Sequence, residues 1–397
     1  MRAEHRGRIV VVSADVGAGH ESAAAELTRR LRERGFLVDR LNFLDVVPAP
    51  ARWGFRDAYR GVLRWAPWWY EAMFKVTGRS RRAATVLRAL LAPLRRRMWR
   101  RIPPDTRAVV TTYPFANQLL GPLRRRGLSA PLLTYVTDFV VHPSWVSPGV
   151  DLYCALPYAR PHSARLPADL DVRTVQPLVS ADFAEALGTS KSEARRRFGL
   201  PADERLALVV AGAWGVGEVE TTVTEVGAGG GVRTVVVCGR NDALRERLAP
   251  VAGHVFGWVD DMPTLMRAVD LVVENAGGLT CQEALACGLP VVTYRPIPGH
   301  GRANARILAA AGLTRWAPSR DHLQRELARW PAPGAHPPGR EMGSWPDPAG
   351  LVAEVAARPS TVGWSGAYRR RPVADVVGDT LAVLATVLPN AGRADRR

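Results

Sequence analysis

The residues of this sequence best placed to do chemistry follow an apolar run from Leu271 into Glu274-Asn275, where Gly277-Gly278 breaks the chain. Thr280 comes next, with Glu283 three residues on, the spacing of a capping box at a helix start. A strand, a two-glycine turn and a helix N-terminus present unpaired amides and a positive dipole end, which suits a phosphate or nucleotide. The competing reading makes Thr280 and Glu283 a helix cap and nothing more. A second constellation, Ser13 to His20, places Asp15, Gly17, Gly19 and His20 where another apolar strand meets another helix. A third, Thr137 to Trp145, carries Asp138 and His142 at a strand's end, where polar side chains of an α/β sheet face a ligand crevice. His20, Asp138 and His142 are candidates for proton transfer. Their competing readings are a structural histidine for His20 and a turn residue for Asp138.

The elements that must position these groups follow from periodicity. Ile9–Val12 reads as a buried strand, and Ala24, Leu27 and Leu31 recur at helical spacing before Gly35 stops the helix. Phe36–Phe43 alternates as a second strand. The glycine loop between them is not a dinucleotide fingerprint, because Ser22 stands where a third glycine would be. It is not a Walker loop either, since no Gly-Lys-Ser/Thr follows. Ala108–Thr112, Leu132–Thr137 and Asp151–Cys154 are further strands. The proline-rich stretch 157–177 reads as a crossing between domains. It holds the one Asp-x-Asp, Asp169-Leu170-Asp171, which follows Pro167-Ala168 rather than an apolar strand and so argues against a metal site.

The pattern then restarts. Arg205–Val210 is a strand followed by a loop with Gly212, Gly215 and Gly217. Thr234–Cys238 ends in Gly239-Arg240-Asn241, and Val255–Val259, with Gly257-Trp258-Val259, runs into Asp260-Asp261-Met262-Pro263 at a helix start. Two α/β halves, each with a glycine loop after its first strand, predict paired Rossmann-like domains facing across a cleft. Residues 318–348 show no clear periodicity. Thr380–Leu388 reads as a helix that could return to the first half, ahead of a basic tail from Gly392.

Bulk composition narrows the classes. Apolar content of 47% over 397 residues fits a soluble two-domain protein, and no apolar run approaches a membrane span. The N-terminal apolar run is too short for a signal peptide, so a cytoplasmic location is expected. Four scattered cysteines without a Cys-x-x-Cys pair read as free buried thiols. The extreme feature is a net charge of +17, of which residues 52–101 supply +12 together with five of the twelve tryptophans. Arginine interleaved with Trp65, Trp68 and Trp69 is what a segment lying on an anionic bilayer needs, each Arg adding roughly 1 kcal/mol there. A solvated basic face and a nucleic-acid surface are the alternatives.

Taken together, the Gly-x-Gly-His loop, Thr137-Asp138 through His142-Pro143-x-Trp145, Cys238-Gly239-Arg240-Asn241, Gly257–Met262 and Gly277–Thr280 through Glu283-Ala284 resemble a known group. The chain is similar to monogalactosyldiacylglycerol synthases and diacylglycerol glucosyltransferases, and more distantly to the N-acetylglucosamine transferase that makes lipid II. The resemblance implies a GT-B fold and an inverting, metal-independent transferase without a cofactor, using a UDP-sugar donor and a membrane-lipid acceptor. It implies a lipid-acceptor domain over 1–175, including the membrane-facing segment 52–101, a donor domain over 176–360 and a terminal segment 361–397. It puts Glu283 on the donor ribose and Gly277, Gly278, Leu279 and Thr280 on the diphosphate. It puts Trp258 and Val259 on the uracil, with Gly212, Gly215, Gly217, Gly239 and Asn241 bordering the donor. His20 or Asp138 would be the base, with Asp15, Gly17, Gly19, His142 and Trp145 on the acceptor side. The expected location is the inner face of the plasma membrane. One departure stands out. The group's Pro-Gly-Gln-Glu reads Pro298-Gly299-His300-Gly301 here, so His300 replaces the sugar-contacting Gln and the sugar cannot be inherited. A UDP-sugar epimerase of the same fold, or a basic nucleic-acid-binding protein, are the rival functions.

Overall fold

The computed structural model describes residues 5–79, 81–162, 170–212, 215–229, 231–329 and 343–358. The expected helix at 380–388, the basic tail, Asp169 and Trp214 lie outside them. Eight strands belong to the first half: β1 Arg8–Ser13, β2 Leu37–Asn42, β3 Thr106–Thr111, β4 Leu132–Tyr135, β5 Val140–Val141, β6 Leu152–Ala155, β7 Arg160–Pro161 and β8 Val172–Thr174. Six belong to the second: β9 Leu206–Val210, β10 Arg233–Val237, β11 His254–Phe256, β12 Leu271–Glu274, β13 Val291–Tyr294 and β14 Arg315–Ala317.

Each half is built on one six-stranded parallel sheet, in the orders β2-β1-β3-β4-β6-β8 and β11-β10-β9-β12-β13-β14. A parallel sheet is covered on both faces, so its strands must be apolar throughout. Ile9 and Val11 enter one core while Val10 and Val12 enter another on the opposite face, and Leu208 and Val209 divide in the same way in the second half. The core that takes Ile9 also takes Leu208, so one apolar layer is continuous through both halves. Strand order reverses between β1 and β3 and between β9 and β12, and the crevices at those reversals are where such sheets hold ligands. The Ser13–His20 loop leaves β1, and the Glu274–Gly278 turn leaves β12.

The structure corrects two expectations. The stretch 157–177 is not simply a crossing, because it contains β7 and the edge strand β8. Within 318–348, a helix covers Arg320–Arg329 and buries Leu323 and Leu327. Asp171 pairs with Arg173 at 3.1 Å. All four cysteines are buried and unpaired.

A helix at Pro348–Ala356 packs on the first half's helix Ala18–Glu33, although it follows the second half in sequence. Asp347 makes the connection. Its carboxylate caps the helix through the amides of Ala349 and Gly350 and meets Arg30 at 2.9 Å and Arg34 at 2.5 Å. Burial pushes that carboxyl up, but Arg30 and Arg34 outweigh it and hold it below its ordinary range. The contribution is therefore full above the unfolded carboxylate pKa and disappears as pH falls through the lower folded value. Asp347→Asn, which keeps a cap and loses both ion pairs, should cost about 1 kcal/mol at neutral pH; Asp347→Ala should cost about 2 kcal/mol. Denaturation titrations would show the Asn variant converging on wild type in strong acid; a constant gap would refute the linkage.

Candidate active site

The first wall of the cleft is the loop after β1. Gly17, at φ 86°, turns the chain into the helix Ala18–Glu33, with no side chain capping its amides. His20 sits in that first turn, half-buried between the rings of Tyr113 and Trp145. Its Nδ1 lies 2.7 Å from the Thr112 carbonyl oxygen, and the Thr112 hydroxyl donates to the His20 carbonyl. A carbonyl only accepts, so Nδ1 carries the ring proton and Nε2 keeps its lone pair. Burial lowers the imidazole pKa below its ordinary value, against the opposing pull of Asp138, so the ring is neutral at physiological pH. A neutral histidine with a fixed tautomer is what a general base requires. Glu21, one residue on, accepts from Ser13 and pairs with Arg40, which places it with the structure rather than the chemistry.

The second wall is the loop after β4. The Thr137 hydroxyl lies 3.2 Å from His20 Nδ1. Asp138 accepts from the Trp145 indole and from the Asn304 amide, both at 3.3 Å, so it has a partner on each oxygen. Trp145 is fully buried beneath it. His142 is corrected from an acid/base candidate to a structural residue. Its Nδ1 accepts from the Ser144 amide, its Nε2 donates to the Phe74 carbonyl, and burial pushes its pKa down to about 4. Both ring nitrogens are committed, so His142 has no free atom to offer a substrate.

The facing wall belongs to the second half. Glu274, buried at the end of β12, accepts from the amides of Ala276 and Gly277 and from the Thr293 hydroxyl. It fixes the glycine turn and takes up the Gly277 amide, one of the four expected on a diphosphate. The helix Leu279–Ala286 is capped by Gly278 with no side-chain bond, so the expected capping box of Thr280 and Glu283 is not formed. Among the described residues no acceptor meets the amides of Gly278, Leu279 and Thr280. This bare helix start looks onto the first wall: a Cβ added at Gly19 would lie 3.8 Å from the Leu279 Cβ. Glu283 lies half-buried, its carboxyl without a hydrogen-bond partner among the described residues, and burial pushes that carboxyl up to about 8.

The other positions expected on the donor side are more spread out. Gly212, Gly215 and Gly217 take positive φ, and the Asn275 amide donates to Val216 to hold that loop. Gly239 also has positive φ, and Asn241 caps the helix Asp242–Leu248 through the Leu244 amide. Arg240 stacks on Trp258, which is exposed, while Val259 is partly buried. A cavity of about 1500 Å³ runs from Gly215, Gly217 and Asn241 to Arg64 and Trp65 of the first half. His20, Asp138 and Glu283 lie outside its lining.

The basic segment forms an arm of helices, Ala49–Trp65, Pro67–Arg79 and Arg81–Leu90. Trp65 is 77% exposed, Trp68 71% and Trp69 47%, and Val76, Val86 and Leu90 of the same arm are exposed as well. These side chains are not core. No helix among the described residues is long and apolar enough to cross a membrane.

Sequence reading passed over the residues that close the cleft. Asn304, fully buried, accepts from the Val140 amide and donates to Asp138 and to the Ala276 carbonyl, while Gln282 donates to the Thr137 carbonyl. The one available signal was Asn304 standing four residues after His300, on the same helix face.

Known proteins align with this geometry. Residues 20–163 match the family model of monogalactosyldiacylglycerol (MGDG) synthase, and residues 221–329 that of the glycosyltransferase family 28 C-terminal domain. The processive diacylglycerol beta-glucosyltransferase of Bacillus pumilus (strain SAFR-032) is 30% identical over 219 residues, 51% of this chain and 55% of that protein. The enzyme of the same name from Bacillus mycoides (strain KBAB4) is 30% identical over 208 residues, 50% of this chain and 52% of that one. The chain thus spans about half the length of the curated relatives it matches. Among solved structures, a spinosyn rhamnosyltransferase covers 89% of this chain and 100% of its own at 16% identity, with a TM-score of 0.60. The fold is GT-B, and the resemblance read from the motifs holds.

Asn304→Ala would leave the Val140 amide and the Ala276 carbonyl without their partner. We expect a loss of about 3 kcal/mol in chemical denaturation and a larger radius of gyration in solution scattering. An unchanged radius would mean that the apolar seam alone holds the halves together.

Proposed function

We propose that two GT-B halves closed on His20 and the bare start of helix Leu279–Ala286 make this chain an inverting, metal-independent glycosyltransferase. It moves a hexose from a UDP-sugar to the hydroxyl of a membrane lipid such as diacylglycerol. The observation that carries the reading is the pairing across the cleft of a neutral histidine, its Nε2 free, with three unpaired amides. A transfer of this kind breaks the bond between the anomeric carbon and the diphosphate oxygen as the acceptor oxygen bonds to that carbon. The acceptor proton passes to His20 Nε2, and the departing diphosphate's charge falls to the amides of Gly278, Leu279 and Thr280. Asp138, tied to Trp145 and Asn304, steadies the imidazolium by its charge rather than taking the proton itself. Glu283 receives the ribose hydroxyls, a role that suits a half-buried carboxyl with no protein partner.

The arm supports a lipid acceptor. Exposed Val76, Val86 and Leu90 on the same arm as Trp65, Trp68 and Trp69 favour a bilayer over nucleic acid, because bases stack on rings and gain nothing from aliphatic side chains. The surplus of arginine on the arm matches an anionic surface at the inner face of the plasma membrane. An epimerase of this fold would have no use for such an arm.

Incubation with several UDP-sugars and mixed membrane lipids should yield labelled glycolipid; no transfer together with no UDP binding would overturn the proposal. His20→Ala should keep UDP binding and lower turnover by roughly 10²- to 10⁴-fold. In wild type, the acid limb of the rate profile should lie below the ordinary histidine pKa, since burial lowers that of His20. Glu283→Ala should weaken UDP binding. In wild type near neutral pH that binding should release a proton, detectable by calorimetry in buffers of different ionisation enthalpy, because ribose hydroxyls favour the ionised carboxylate. Replacing Trp65, Trp68 and Trp69 together by Ala should reduce binding to anionic vesicles.

A further inference from the structure

The helix Pro67–Arg79 has two working faces. Trp68, Trp69, Met73 and Val76 look outward. Tyr70, Glu71, Phe74 and Gly78 look inward, at the spacing of one helix face, and touch both sides of the cleft. Glu71 accepts from the Gly299 amide at 2.7 Å and pairs with Arg302 at 3.4 Å. The Tyr70 hydroxyl lies 3.1 Å from His300 Nδ1. Phe74 stacks on His142 with ring centroids 4.4 Å apart and accepts from it through its carbonyl, so the helix also holds the loop that carries Asp138. The fit is close. A methyl at Gly299 would lie 2.8 Å from the Tyr70 ring, and one at Gly78 would overlap His162.

Burial pushes the Glu71 carboxyl up, yet the Gly299 amide, Lys75 and Arg302 more than compensate and hold it below its ordinary range. The carboxylate is thus a charged acceptor for a loop amide, a strong form of hydrogen bond. Gly299 itself has φ 74° and begins the helix that contains His300 and Asn304. The turn that carries His300 is therefore held from two sides: its own half supplies the Asn275 carbonyl for the Ile297 amide, and the arm supplies Glu71 for the Gly299 amide.

We infer that Glu71 and Tyr70 are positioning residues that transmit the seating of the arm on a lipid surface to the Gly299–Arg302 turn, setting His300 for the donor sugar. The inference rests on the proposed reading of the arm as a membrane surface and of His300 as a sugar contact. Docking of the outward face steadies the helix; the inward face then holds the turn. The membrane acts on the donor side as well as presenting the acceptor.

The test uses the full chain and vesicles of equal parts phosphatidylglycerol and phosphatidylcholine, without diacylglycerol or nucleotide. Hydrogen exchange of residues 296–302 should slow about tenfold when the vesicles bind, the effect of one charge-assisted hydrogen bond held more of the time. Glu71→Ala should still sediment with vesicles but lose the slowing, while Glu71→Gln, which keeps an acceptor for the Gly299 amide, should retain most of it. Should the alanine variant fail to fold, Tyr70→Phe keeps the ring, removes the hydroxyl that meets His300, and should give a partial loss of the slowing. Equal exchange with and without bound vesicles, slowing that survives both Glu71→Ala and Tyr70→Phe, or no vesicle binding by wild type would overturn the inference. The exchange readout needs no sugar transfer, so a failure of the proposed reaction would show separately in the glycolipid assay.

Discussion

The carboxamide of Asn304 is where the two halves of this protein become one site. It accepts from the Val140 amide and donates to the Asp138 carboxylate on one side and to the Ala276 carbonyl on the other. Those partners belong to the loop after β4 and the turn after β12, so one buried side chain registers the two sheets at the ends where their chemistry lies. An amide suits the position because it supplies both a donor and an acceptor without charge, and a charge buried there would need compensation. The placement of His20 against Leu279, and so its distance from the bare helix start, depends on this seam. Gln282 adds a second bond to the loop after β4, through the Thr137 carbonyl.

A division of labour follows. In the first half, buried polar contacts fix a tautomer: the Thr112 carbonyl for His20, the Ser144 amide and Phe74 carbonyl for His142. In the second, Glu274 consumes two amides to shape a turn and leaves the next ones unsatisfied. Unsatisfied amides at a helix start are costly in a core and useful in a cleft, where an anionic ligand completes them.

Much of the fold was legible in the sequence, because parallel strands buried on both faces leave apolar runs such as Ile9–Val12 and Leu206–Val210 that little else resembles. The glycine loops and the His20 motif were legible for a similar reason, each being local and unusual. The capping box failed because spacing alone cannot reveal that Gly278 occupies the cap and that Glu274, held through the fold by Thr293, anchors the turn. The helix Arg320–Arg329 escaped notice because only Leu323 and Leu327 face the core, too few for a period to emerge. His142 looked chemical by its place at a strand's end, and only the partners on its two nitrogens show it to be structural. Asn304, Gln282 and Glu71 stayed invisible because each reaches across to the other half, to a partner more than a hundred residues away in the chain.

Gly299 carries a consequence for how such a protein can be altered. Its positive φ and the rings of Tyr70 and Phe74 pressed against it leave no space for a side chain at that position. The turn and the arm helix are thus two halves of a single mould, though they are encoded far apart. A new turn sequence grafted onto residues 298–302 alone would arrive without its counterpart. Exchange between related chains has to move residues 67–79 and 298–302 as a pair, and drift at either segment is constrained by the other.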